Sequence, residues 1–344
     1  MPTIYDVITP ADTRAYYENV ERKTYLGEAL FPATKQLGLD LSFLKGRGGL
    51  PIALQPAAFD ALAPLRDRIG VEAFNTEMPF FRERMLVKEK DRQQINSFLA
   101  ANQSAQAELI IREVFKDAEA LIAGADVITE LMRMQLLSTG NIAIQGTAEG
   151  VAFKYNYRLQ DNQFETLVGA DAWTSPDSDP IANIEEWVEQ SGATRAILNS
   201  FTFGLLRKHP KVIGAVSAVT GKQFVSKTEI VNFFREEVGV SFAIYDEKYQ
   251  ISQDAAAEKF WPDFVFTLIP DGTLGETVYG TTPEEADLLN GQATDAEVSI
   301  VNTGVAVTTV KIPHPVNVQT IVSMIAMPSF PMADKVFIAT VGAE

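Results

Sequence analysis

Residues 104–138, SAQAELIIREVFKDAEALIAGADVITELMRMQLLS, contain no proline and a single glycine, Gly124. Apolar residues recur at Ala107, Ile110, Val114, Ala118, Leu121, Ala125, Ile128 and Met132, in steps of three and four. That spacing lays one apolar stripe along an α-helix. Ser104 stands where an N-cap belongs, and Gly140 lies just past the end, where a left-handed residue is common. Glu108, Arg112, Glu113, Lys116, Glu119 and Glu130 fall largely off the stripe. At about 1.5 Å per residue the helix runs roughly 50 Å, far beyond the usual globular length. Strict heptads with paired flanking charges are missing, so a coiled coil is disfavoured and a brace for a broad domain is expected. The predicted packing residues of this spine are Ile110, Val114, Ala118, Leu121, Ala125, Ile128 and Met132.

Downstream, Val151, Phe153, Tyr155, Tyr157 and Leu159 alternate with polar residues, as in a strand with one buried face. Ser175-Pro176-Asp177 and Asp179-Pro180 mark a boundary, and Asp179 caps a helix with Pro180 in its first turn and Gly192 as its stop. Ala196–Leu198 reads as a short strand. Ser226 and Glu229 form a capping box before Ile230, Val231 and Phe234, with Gly239 as the stop. Val240–Ile244, Phe264–Ile269, Leu274–Tyr279, Val316–Met327 and Lys335–Val341 read as strands. A mixed α/β region is predicted here.

Upstream, Thr9-Pro10-Ala11-Asp12 starts a short helix to about Lys23, and residues 1–35 are too few to enclose a core. They read as an arm. Residues 36–90 form a long excursion. GLDLSFL alternates as a strand, Lys45-Gly46-Arg47-Gly48-Gly49 is a pliable basic turn, and VEAFNTEMPFFRERMLV returns as a strand interrupted by Pro79. Between them Leu54, Phe59, Leu62 and Leu65 show no period that would seat them in their own domain. An isolated two-stranded ribbon cannot bury such residues by itself, and long loops in compact domains usually have a task. The ribbon therefore folds back on the body or lies on another subunit.

The 344 residues, 46% hydrophobic and 22% charged, have a normal globular composition. No apolar run reaches a membrane span, and MPTIYDVITP lacks the features of an export signal, so no membrane partner is expected. With no cysteine, disulfides, thiolate metal sites and thiol nucleophiles are excluded. A net charge of −16 argues against tight sequence-specific nucleic-acid binding. No P-loop string, GxSxG elbow or GxGxxG fingerprint occurs. His209 and His314, the only histidines, sit beside prolines as loop residues. Glu185/Glu186, Glu236/Glu237 and Glu284/Glu285 are adjacent on helix-like stretches, as on a solvated surface. Asp246-Glu247 with Asp271 and Glu276 could supply oxygen ligands to a hard cation, but the spacing fits no EF-hand. No catalytic residue, cofactor or metal is predicted.

In the order and spacing of its parts the chain resembles the major capsid proteins of tailed double-stranded DNA bacteriophages, specifically the lambda major head protein (capsid protein E) family. The resemblance lies in Leu30-Phe31-Pro32, VSFAIYDEKY at 240–249, FVFTLIPDGTLGETVYG at 264–280 and KIPHPVNVQTIVSMIAMPSFPMADKVFIATV at 311–341. It implies an α+β fold of the Hong Kong 97 type. Residues 1–35 would be the N-terminal arm and 36–90 the extended β-ribbon loop. Residues 91–179 and 312–330 would be a peripheral domain with spine helix 104–138. Residues 180–311 and 331–344 would be an axial domain.

The same resemblance implies a structural protein that self-assembles as hexamers and pentamers into an icosahedral head. That shell would enclose double-stranded DNA held without sequence specificity, after assembly in the host cytoplasm. Scaffolding protein, portal and a decoration protein are the further partners. Because the arm begins almost at once, a separate scaffolding protein or an already removed segment is implied. Lys45 is the only lysine between 36 and 87. The assembly residues would be Lys45, Gly46, Arg47, Gly48, Gly49, Leu54, Phe59, Leu62 and Leu65. Two alternatives remain at this point: an encapsulin-like shell around protein cargo, and an α/β enzyme with an unrecognised site.

Overall fold

The computed structural model describes residues 15, 22–46, 71–87, 89–100, 104–145, 152–222, 224–252, 254–289, 296–313 and 316–342. Its first elements are α1 (Leu26–Leu30), β1 (Ala33–Lys35), β2 (Asp40–Gly46), β3 (Val71–Glu77), β4 (Phe80–Leu86), α2 (Glu89–Ala100) and α3 (Ser104–Thr139). Then come β5 (Asn141–Gln145), β6 (Ala152–Asn156), β7 (Phe164–Thr166), α4 (Pro180–Ser191), β8 (Arg195–Leu198), α5 (Ser200–Lys208), α6 (Pro210–Thr220) and α7 (Lys227–Phe233). The remainder holds β9 (Ser241–Ile244), β10 (Lys248–Tyr249), β11 (Glu258–Lys259), β12 (Val265–Ile269), β13 (Glu276–Tyr279) and α8 (Pro283–Leu289). It ends with β14 (Ala296–Val301), β15 (Val305–Pro313), β16 (Val316–Ser329) and β17 (Phe337–Thr340).

Backbone proximity divides the chain into two compact units. Unit one comprises Met1–Leu41, Thr76–Arg133 and Glu276–Ser329, and unit two Ser42–Asn75, Met134–Gly275 and Phe330–Glu344. This division differs from the expected boundaries. Residues 134–179 group with unit two, and 276–311 with unit one. The second difference has a clear cause. β14 and β15 form an antiparallel hairpin whose second strand pairs with β16 from Val305↔Met324 to Pro313↔Val316, so this segment is bound to unit one by its ladder.

In unit one the 14-residue β16 is the central strand. It pairs antiparallel with β15, with β4 and with β13, and β13 carries the parallel β1. Leu121, Ile122 and Ala125 of α3 are buried together with Val301, Val305, Val307, Val322, Met324 and Ala326. Phe81, Met85 and Ile128 pack at the margin of this cluster. The three-and-four spacing of the helix thus meets the period-two faces of the strands, each fully buried aliphatic side chain contributing roughly 1.5–3 kcal/mol. β4, expected as part of the ribbon, instead belongs to this sheet, aligned from Phe80↔Ile325 to Leu86↔Gln319. Pro79 is where the return strand leaves β3 and enters the body.

Unit two holds a five-stranded sheet in the order β7-β17-β12-β8-β9. Trp173, Trp187, Phe203, Phe234, Phe266 and Phe337 belong to one buried cluster that joins this sheet to α4–α7. Trp173 and Trp187 stack at 6.0 Å, and Trp187 meets Phe266 at 5.9 Å and Phe337 at 5.5 Å. Asp179 caps α4, Asn199 caps α5, and Ser226 with Glu229 forms the reciprocal box of α7. His209, expected in a loop, is buried at the start of α6. Its Nε2 faces Ser175 O at 3.0 Å and Ser178 Oγ at 3.1 Å, and its Nδ1 accepts from Lys211 N at 3.3 Å. A ring nitrogen facing a carbonyl must carry a proton, and Nδ1 is left to cap the start of α6.

Candidate assembly elements

The ribbon consists of β2 and β3, which form a two-stranded sheet of their own. Lys45 and Gly46 end its first strand. Arg47, Gly48, Gly49, Leu54, Phe59, Leu62 and Leu65 lie outside the described residues.

The root of the ribbon is built closely. Met78 N donates to Leu39 O at 2.9 Å, and Thr281 N donates to Gly38 O at 3.3 Å. Gly38 has φ +92, the left-handed region that glycine enters freely. Facing it, Gly280 leaves no space for a side chain. A Cβ there would stand 2.6 Å from Gly38 O and 2.8 Å from both Ile325 and Met78. Leu41 and Met78 are buried at this root, whereas Leu37 is 87% exposed, and Leu39 and Phe80 are also exposed.

On the spine, Ala118, Leu121, Ala125 and Met132 are buried as the stripe predicts, and Ile128 packs half-buried. The backbone of Ile110 and Val114 is helical, and their side chains lie outside the described set. The stripe misses two charged residues. Glu130, which falls off the apolar stripe, is fully buried, and so is Arg133, its neighbour one turn on. They pair at 3.3 Å, and Arg133 Nε donates to Thr277 Oγ1 at 2.8 Å. Their i, i+3 pairing is local, but nothing in the helix period marks them as buried, because their other partners, Gly27 and Thr277, lie far away in sequence. Burial pushes the Tyr279 and Tyr157 hydroxyls above their ordinary pKa.

The carboxylate pairs divide. Glu185 and Glu186 are exposed on α4. Glu284 and Glu285 are instead half-buried, Glu284 on Arg82 and Ser323 and Glu285 on Lys35 at 2.5 Å. These pairs tie α8 to the sheet of unit one. Of the oxygen ligands considered for a cation, Asp246 accepts from Ser200 N at 2.7 Å, and Asp271 lies 3.7 Å from Arg195. Among the described residues no three histidines or carboxylates gather as a metal site. No described helix is long and apolar enough to cross a membrane.

A long helix against a β-sheet, a second α/β unit and a separate two-stranded ribbon fit the Hong Kong 97-type capsid fold, and solved structures agree. A protein described as a prophage capsid protein of Escherichia coli CFT073 matches with TM-score 0.58 at 13% identity, over 97% of this chain and 99% of that one. A phage-related protein from Bordetella bronchiseptica RB50 matches with TM-score 0.56 at 14% identity, over 96% and 97%. A chain of the cyanophage A-1(L) capsid asymmetric unit matches with TM-score 0.50 at 10% identity, over 98% and 94%. No curated protein sequence matches significantly. The phage major capsid protein E family matches residues 13–341, and the chain belongs to that family. It is a structural protein of a phage capsid shell.

Proposed function

We propose that the chain is the major subunit of an icosahedral phage head, assembled from hexamers and pentamers of itself in the host cytoplasm. The ribbon, including Lys45, Gly46, Arg47, Gly48, Gly49, Leu54, Phe59, Leu62 and Leu65, lies over a neighbouring subunit. The observation that carries this is the two-stranded ribbon sheet, which no third described strand joins, in a chain of a capsid family. A lone strand pair is marginally stable in water, and a neighbouring copy supplies the missing surface. Unit one takes the peripheral position and unit two the axial one. Scaffolding protein, portal and decoration protein are its assembly partners. The role is structural, without catalysis.

The net charge of −16 supports a subunit that encloses double-stranded DNA without gripping it, since phosphate affinity rises with the number of basic groups engaged. Family membership favours a genome over the protein cargo of an encapsulin-like compartment. Electron microscopy of the protein purified after co-expression with its scaffolding protein tests the proposal. Closed shells are expected, and monomers alone under every condition would contradict it.

A further inference from the structure

Gly27 lies in the first turn of α1, where backbone N–H groups lack partners within the helix. Its N–H donates to Glu130 Oε1 at 3.0 Å, across 103 residues of sequence. The pair partner Arg133 engages Thr277 Oγ1, and that hydroxyl in turn donates to Phe31 O at 3.0 Å. The buried pair is therefore turned toward the backbone of residues 27–31. The seat is also sterically selective. A Cβ at Gly27 would overlap the Glu130 carboxylate and lie 2.5 Å from Arg133 Cδ.

From this seat the chain continues without a break to the ribbon root. Pro32 O accepts from Thr277 N at 2.9 Å, β1 runs parallel to β13, and Gln36 N donates to Tyr279 O at 2.9 Å. Gly38 then meets Thr281 and Gly280. Leu30 and Phe31 anchor the segment with apolar burial. Beside them a cavity of about 310 Å³ is lined by Arg22, Glu28, Asp126 and Thr129 among others, so the seat is bordered by polar groups as well as apolar ones. A buried ion pair adds little stability over apolar packing of equal volume, but breaking it leaves an uncompensated charge. Such a pair is suited to holding one arrangement and penalising others.

We propose that Glu130, Arg133 and Thr277 form a polar latch that holds residues 27–41 as one strap. Opening the latch releases the strap and the ribbon root together, while the helix–sheet core of unit one stays closed. The latch is a property of the single subunit and goes beyond the shell assembly proposed above.

Hydrogen exchange of the full-length free subunit tests it with two variants. Glu130→Gln keeps an acceptor for Gly27 N–H but removes the counter-charge of Arg133. Thr277→Val removes the bridging hydroxyl and leaves the β13 ladder in place. In Glu130→Gln the amides of residues 27–41 and 277–281 are expected to exchange at least roughly tenfold faster, a local opening. Thr277→Val is expected to speed the same segments by a smaller factor. In both variants residues 118–128 and 322–326 keep their protection. Faster exchange throughout unit one would make the pair a general stability element and overturn the latch. Unchanged exchange of the strap in both variants would overturn it equally.

Discussion

The two units close their apolar surfaces in different ways. Unit two encloses a continuous core in which Trp173, Trp187, Phe266 and Phe337 stand within ring-contact distance. Unit one packs one face of a helix on a sheet, seats a strap through a buried ion pair, and leaves Leu37, Leu39, Phe80 and Leu86 exposed. Unit two likewise leaves large apolar side chains at its surface, Phe164, Val168, Phe201, Val219, Phe224, Ile251 and Met332. The difference therefore lies in the interior, aromatic rings in unit two and aliphatic packing beside an ion pair in unit one. Exposed apolar residues scattered in this way are ordinary on a protein surface.

The largest expected effects ask whether the units are independent. Ala125→Asp sets a carboxylate in the helix–sheet core of unit one, at a cost of several kcal/mol, about 2–7 by transfer reasoning. Trp187→Ala empties the centre of the aromatic cluster in unit two, at about 3–5 kcal/mol. Hydrogen exchange should show the first loss in residues 305–307 and 322–326 and the second in 265–269 and 337–340. Loss of both regions in either variant would erase the distinction, making the protein one cooperative body.

A smaller effect sharpens the account of the ribbon root. Gly280→Ala forces a methyl group against the Gly38 carbonyl, which as backbone cannot turn aside. Overpacking of this kind costs about 1–3 kcal/mol, read as a lower denaturant midpoint. Gly124→Ala, on the same unit with open space around it, is the control and should not destabilise.

The smallest effect concerns pH in unit two. Glu229 is held down to about 2 by hydrogen bonds from Lys222 and Ser226. A carboxylate depressed on folding stabilises above its unfolded value of about 4.3, and that contribution fades as pH falls toward 2. Because the Lys222 partner is largely exposed and solvent screens the pair, the effect should be slight. Glu229→Gln should flatten the acid limb of the stability curve of unit two between those values, measured by thermal melts. An identical acid limb in wild type and variant would remove the capping box from the account.

Much of this was legible from local chemistry. The spine helix, the caps at Asp179 and Ser226, and the strands expected at 196–198, 264–269 and 316–327 follow from short-range spacing, and the structure has strands at 195–198, 265–269 and 316–329. Long-range relations were not legible. The burial of Glu130 depends on Gly27, and that of Arg133 on Thr277, 144 positions away. Pairing of β4 with β16 was hidden because its alternation serves a ribbon or a sheet equally well. The hairpin β14–β15 was missed although VAVTTV carries the β-branched residues of a strand. The tightness of Gly280 has no sequence signal, since it arises from the approach of Gly38, Met78 and Ile325 in space.

The central claim is that the ribbon serves assembly and leaves folding of the subunit unchanged. Deleting residues 45–70 behind a short glycine-serine linker tests it most directly, since surface deletions cost little where few contacts cross them. The deletion variant is followed by circular dichroism of the free subunit and by sedimentation with scaffolding protein present. The account predicts an unchanged helical signal and no shells. Shells of normal size, or a lost helical signal in the free subunit, would contradict it.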